Sequence, residues 1–191
     1  MLDIMVDLET LGNKPGCAIL SIGAVAFDPV EQKIDDDGFY RVVSRASCKK
    51  AKLHEDQDTI NWWERQSEAA RQVLTDALAK SASPLKDALI DLNMYLTSFG
   101  PAKKIRIWGN GADFDNAILC LCYQAAGVQM PWDFWNNRCF RTLKNLAPQI
   151  KVGRSGTYHN ALDDARTQAD HALKIFALMG NRMNLSNGAT T

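Results

Sequence analysis

At 191 residues, with 46% apolar and 23% charged side chains, the chain has the composition of an ordinary globular protein with a core of its own. Its formal net charge of zero excludes a global basic field, so any polyanion must be held by a local site. No apolar run approaches the roughly 20 residues of a membrane span, and the opening MLDIMVD has acids where a signal peptide needs a basic stretch and then an apolar one. A soluble, cytoplasmic protein with no membrane partner is expected, its five cysteines reduced and mostly buried, because they are odd in number and lack metal-ligand spacing.

In chain order, residues 3–9 read as a strand, 10–17 (TLGNKPGC) as a Gly/Pro loop, and 18–28 as a second strand rich in branched residues. A turn over 29–33 leads to a third, antiparallel strand at 38–43. Helices are expected over 59–66, 68–79 and 83–99, the last with Ser83 as N-cap and Pro84 in its first turn. A strand at 104–108, a GNG turn, and a helix at 113–126 follow. Next come a short strand at 137–140, a helix near 142–146, and a long helix over 161–179. The order argues for a mixed α/β sheet, with its first three strands antiparallel and the rest parallel, covered by helices on its faces. Residues 1–179 are expected to form one domain and 180–191 a polar, frayed tail.

Three acidic clusters fall at ends of these elements. Asp7 and Glu9 share one face of the first strand because successive side chains alternate, and two like charges at the end of a core strand are costly without a positive partner. In WGNGADFDNAIL, Asp113 suits the N-cap role, which leaves Asp115 as the acid available for chemistry. In YHNALDDARTQAD, Asn160 suits the N-cap and Asp163 completes a capping-box-like pair. His159 and Asp164 then occupy the two positions that meet in a hydrophobic staple. Oxygen donors of this kind suit divalent cations, and two ions about 4 Å apart can stabilise both oxygens of an in-line phosphoryl displacement. A histidine beside them can take the proton from an attacking water.

The stretches Asp7-Leu8-Glu9, Phe114-Asp115 with Ile118-Leu119, and His159-x-Ala161-x-x-Asp164-Ala165 resemble, in order, the three exonuclease motifs of the DEDDh group. This group includes the proofreading subunit of bacterial DNA polymerase III, ribonuclease T and oligoribonuclease, and has an RNase H-like fold. DLETLGNKPG and TINWWERQ are most similar to small stand-alone members from bacteriophages and bacteria, some labelled exodeoxyribonuclease VIII and others exoribonucleases. The resemblance implies metal-dependent 3′→5′ hydrolysis of single-stranded or overhanging RNA or DNA, releasing nucleoside 5′-monophosphates. It further implies two Mg²⁺ or Mn²⁺ ions, with Asp7 bridging both, Glu9 and Asp164 on the first, Asp115 on the second, and His159 as general base. A homodimer is a weaker implication. The chain departs from many relatives at Asn110-Gly111, where they have His-Asn, and at FRTL (140–143), where they have Asp-Thr-Leu.

Substrate contacts are expected from Thr10 and Leu11, which follow the first motif, and from Trp62 and Trp63. On a helix that pair lies about 100° apart, so Trp63 joins a buried stripe while Trp62 faces outward, where it can stack on a base. Arg141, Lys144, Lys151 and Arg154 are candidates for holding phosphates. The competing readings are a hydrolase of dinucleotides or short oligonucleotides, and a non-catalytic nucleic-acid-binding module. The latter is disfavoured because all five motif positions are present.

Overall fold

The computed structural model describes residues 2–187, with side chains from Asp3 to Gly180. Strand β1 (Leu2–Thr10) runs through the middle of a mixed sheet, antiparallel to β2 (Ile19–Asp28) and parallel to β5 (Ile105–Gly109). Two short strands, β3 (Lys33–Ile34) and β4 (Phe39–Val42), both pair antiparallel with the outer edge of β2. Strand β6 (Asn137–Cys139) pairs parallel with β5 and closes the other edge. The expected RNase H-like order, antiparallel first and parallel after, is the order present. The helices are α1 (Arg45–Lys50), α2 (Gln57–Trp63), α3 (Glu68–Asp76), α4 (Leu85–Ser98), α5 (Asp115–Ala126), α6 (Phe140–Leu146) and α7 (Ala161–Asn187).

The alternation along β1 decides where the chemistry sits. Ile4, Val6 and Leu8 enter one core with Leu89 and Leu92 of α4 and Ile118 and Leu119 of α5. Met5 enters a second core, on the opposite face, with Ala165, Ala169 and Ala172 of α7. Asp7 and Glu9 share the parity of Met5, so both acids face α7. The small alanines at helical spacing let α7 lie close against the sheet. Its first turn meets β2 at Gly23, which is the residue paired with Asp7. A Cβ on Gly23 would stand 2.1 Å from the carbonyl carbon of Ala161. Gly23→Ala therefore sets side chain against backbone. It is expected to cost about 1–3 kcal/mol of stability and, by shifting the 159–164 segment, about a hundredfold in turnover. Thermal denaturation and single-turnover rates on the same variant check both effects.

Several boundaries differ from the sequence reading. The turn over 29–33 passes into the two-residue β3, and α1 was not expected, because only Cys48 of its six residues is buried and no apolar period marks it. Pro84, not Ser83, is the N-cap of α4, since Ser83 forms a β-bridge with Val43. Helix α5 starts at Asp115 with Phe114 as its cap residue, so Asp113 lies outside it. Helix α7 continues beyond Met179 to Asn187, and residues 188–191 of the expected tail lie outside the described residues. Of the five free cysteines, Cys17, Cys48 and Cys122 are buried, Cys139 is partly buried, and Cys120 is exposed. Among the described residues no helix is long and apolar enough to cross a membrane.

Candidate active site

The three acidic clusters meet at the C-terminal ends of β1 and β5, around a cavity of about 480 Å³. Asp115 is fixed there by backbone. Its carboxylate accepts from the Leu8 amide at 3.2 Å and from the Asn110 amide at 2.7 Å. This close approach needs the glycine at 109, where a Cβ would lie 2.9 Å from that of Asp115. Asp7 lines the cavity and accepts at 2.6 Å from the Nε2 of Gln168, one helical turn beyond Asp164.

The third cluster is set by the start of α7. Asn160 caps the helix as expected, its Oδ1 accepting from the amides of Leu162 at 3.1 Å and Asp163 at 3.2 Å. The capping-box half of that expectation is corrected. The carboxylate of Asp163 accepts from the Thr157 amide at 2.7 Å, while the Asn160 amide is taken by the Thr157 carbonyl. His159 stands just before the cap in the left-handed region, φ +61°, which is uncommon for a residue with a side chain. That conformation turns its ring into the cavity. Ligand atoms of Glu9, His159 and Asp164 all lie within 4.8 Å of one another. The rings of Trp62 and Trp63 pack edge-on against the imidazole, at centroid distances of 4.9 and 5.8 Å.

Charge is poorly balanced here. Burial, reinforced by Asp115, Glu9 and Asp164, holds the Asp7 carboxyl well above the usual carboxylate range. Glu9 is pushed up to about 8, first by burial and then by Asp164, with Arg154 opposing. Asp115 is raised to about 6 by burial, although its two backbone donors and Arg141 pull it down. Burial lowers His159 below its ordinary value, so its ring is neutral near pH 7. Among the described residues lining the cavity, only Arg154 offers a full positive charge, through its ion pair with Asp164. The buried Oε1 of Gln168 and Oδ1 of Asn110 have no hydrogen-bond partner among the described residues, and both residues line the same cavity. Clustered oxygen donors with surplus negative charge and unsatisfied carbonyl oxygens are the donor set of a hard divalent cation, so the residues present fit such an ion.

The expected substrate residues divide. Thr10 lines the cavity, its hydroxyl donating to the Gly12 carbonyl at 2.6 Å, and Trp62 lines it with 37% of its surface exposed. Trp63 is buried, and its indole donates to the Thr10 carbonyl at 2.9 Å, so it braces the end of β1 while also lining the cavity. Leu11 is corrected, since it is fully buried in the apolar core and does not line the cavity. Lys151 is exposed and outside the lining, and Lys144 lies over the Phe140 ring at 5.6 Å. Arg141 is exposed at the rim, donating to the Asn110 carbonyl at 2.6 Å. His171 bonds the Ile150 carbonyl at 2.9 Å and ties the preceding loop to α7. Sequence reasoning missed Gln168, although its position four residues after Asp164 puts it on the same helix face. It also missed Tyr158, whose ring lies under the Arg154 guanidinium at 4.4 Å.

Comparison with known proteins agrees with this arrangement. A family described as the 3′-5′ exoribonuclease Rv2179c-like domain matches residues 2–176. The chain is similar to an exodeoxyribonuclease of enterobacteria phage T4, 28% identical over 163 residues and covering 74% of this chain and 70% of that one. Among solved structures it is similar to cell-death related nuclease 4, with TM-score 0.63 and 13% identity, over 93% of this chain and 64% of that one. The nuclease domain of 3′hExo, a DEDDh family member bound to rAMP, superposes with TM-score 0.61 and 14% identity over 92% of both chains. Escherichia coli exonuclease I in complex with a dT13 oligonucleotide gives TM-score 0.63 at 12% identity, over 96% of this chain and 43% of that one.

Proposed function

Because the chain belongs to the Rv2179c-like 3′-5′ exoribonuclease domain family, within the DEDDh exonucleases, we propose that it removes nucleoside 5′-monophosphates from free 3′ ends of single-stranded or overhanging nucleic acid. Residues 1–179 would form the exonuclease domain. The observation that carries the reading is the charge deficit at the cavity, where Asp7, Glu9 and Asp164 share the lining with Arg154 and the buried Asp115 adds its repulsion to Asp7 from behind.

Asp7, Glu9 and Asp164 would hold one divalent cation, with Asp7 shared and Asp115 supporting a second, and Mg²⁺ or Mn²⁺ suits oxygen ligands of this kind. Bound ions supply electrostatic stabilisation of the attacking and leaving oxygens of an in-line displacement. His159, neutral near pH 7 and held in place by Trp62 and Trp63, takes the proton of the attacking water. The 3′ oxygen of the penultimate nucleotide leaves, and the terminal nucleotide departs with the phosphate on its 5′ oxygen. The part-exposed Trp62 ring stacks on the terminal base, and Arg154 transfers from Asp164 to a phosphate oxygen as the substrate enters.

The test is a 5′-labelled single strand, as RNA and as DNA of the same sequence, incubated with Mg²⁺, Mn²⁺ or EDTA. A ladder shortening from the 3′ end, dependent on metal and absent in Asp7→Ala, is the expected result. An intact strand under every metal, for both sugars, overturns the reading.

A further inference from the structure

The other end of the parallel strands carries a feature the cavity does not use. Phe134 and Trp135, in the turn before β6, are 72% and 62% exposed and lie edge to face with ring centroids 5.0 Å apart. Single exposed aromatics are ordinary, but an adjacent pair with most of its surface in water marks a contact site. The Nδ2 of Asn136 donates to the Lys103 carbonyl at 3.0 Å, so the exposed Lys103 and Lys104 stand beside the rings. The Arg138 guanidinium donates to the Trp135 carbonyl at 2.8 Å. Among the described residues, Lys103, Lys104, Arg138 and Arg141 take part in no ion pair.

These groups form a track. Strands β5 and β6 are parallel, so the aromatic turn and Lys104 lie at their N-terminal ends, and Asn110 and Asp115 lie beyond the C-terminal end of β5. The separation is about the length of β5, roughly 17 Å at 3.3 Å per residue. Arg138, on the edge strand β6, falls between, and Arg141 reaches the Asn110 carbonyl at the rim of the cavity.

We propose that this edge is a second binding site for single-stranded nucleic acid. Bases upstream of the scissile end stack on Trp135 and Phe134, while Lys103, Lys104 and Arg138 neutralise phosphates and Arg141 leads the strand to the cavity. A chain with no net charge has to gather its phosphate contacts locally, and among the described residues this edge gathers three cations without ion pairs near two flat rings and a fourth, Arg141, at the cavity rim. A second copy of the chain is the poorer occupant, because a two-fold contact through this patch would set its cations against themselves. The path of the strand toward the cavity rests on the exonuclease reading, whereas binding at the edge does not.

The full chain is tested as Phe134→Ser/Trp135→Ala and as Lys103→Glu/Lys104→Glu. Fluorescence anisotropy with a 5′-fluorescein 20-nucleotide oligouridylate in EDTA reads binding, and initial rates with Mg²⁺ on a trinucleotide read the active site alone. The aromatic variant is expected to bind the 20-mer about tenfold more weakly. The charge-reversal variant is expected to flatten the slope of log affinity against log salt by about 1.4, for two phosphates lost. Trinucleotide rates stay at wild type in both variants. Wild-type affinity for the 20-mer in both variants overturns the proposal. So does a wild-type dimer on gel filtration that the aromatic variant converts to monomer without loss of 20-mer affinity. If the wild type binds the 20-mer through this edge but hydrolyses no oligonucleotide, the exonuclease reading falls and the second site stands.

Discussion

Asp7→Asn is expected to abolish hydrolysis, by at least about a thousandfold, and at the same time to raise the melting temperature of the metal-free protein. Asp7 sits among Asp115, Glu9 and Asp164, and burial adds to their repulsion, so its charged form is the least favourable in the cavity. The amide keeps the shape and removes the charge. Gln168 can turn its amide to present Oε1 to the new Nδ2, which also satisfies an oxygen that otherwise lacks a partner. A gain of about 2 kcal/mol raises the melting temperature of a chain this size by roughly 4–8 °C. Divalent cation should reverse the order of stability, because the wild type gains binding free energy that the variant has lost. Thermal melts in EDTA and in Mn²⁺, run beside the exonuclease assay, read all three effects. If Asp7→Asn is destabilising in EDTA, the acids are not in mutual repulsion and the charge-deficit argument fails.

The second large effect is at His159. Loss of a general base typically costs 10²–10⁴ in rate, so His159→Ala should lower kcat by that order with Mg²⁺ saturating. The pH profile identifies the role. Burial lowers the His159 pKa from its ordinary 6.5, so the wild-type rate should fall as pH drops through a value below 6.5, where the ring gains its proton. In His159→Ala that acid limb should vanish and the residual rate should change little across the same window. An unchanged limb in the variant would assign the titration to another group and remove His159 as the base.

The carboxylates carry a further pH dependence of opposite kind. Glu9 keeps its proton up to about pH 8 in the folded, metal-free chain but releases it near 4.5 when unfolded. Between those values the unfolded chain binds fewer protons than the folded one, so stability falls as pH rises across that window. The metal-free protein is therefore expected to be more stable at pH 5.5 than at pH 7.5, as denaturant midpoints at the two values will read. A higher midpoint at pH 7.5 would mean that the acids ionise without penalty.

Most of the geometry of the candidate site could be read in the sequence because it rests on local periodicities. Asp7 and Glu9 share a face by strand alternation, and His159 and Asp164 meet because they flank the first turn of a helix capped by Asn160. Assigning Asp113 as the helix cap is what singled out Asp115 in the sequence, and Phe114 holds that cap position instead. Asp115 is placed by the backbone amides of Leu8 and Asn110, and a long-range contact of that kind leaves no local pattern. Leu11 was misplaced on similar grounds. Proximity in sequence to an acidic strand end says nothing about which way the chain turns next, and the chain turns Leu11 into the core. Buried Asp3, on the same strand as Asp7, drew no attention in the sequence. Its partners Arg106 and Trp108 are adjacent to it only across the sheet, where they satisfy both of its oxygens and leave it a structural acid.

The account depends most on the acid cluster being a cation site, and calorimetric titration of Mn²⁺ into the metal-free protein tests that directly. Repeating the titration near pH 7 in buffers of different ionisation enthalpy counts the protons released. The prediction is up to two ions bound per chain with net proton release, as Glu9 gives up the proton it holds at that pH, and weaker binding in Asp7→Asn. No binding at millimolar Mn²⁺, or binding without proton release that Asp7→Asn leaves unchanged, would contradict it.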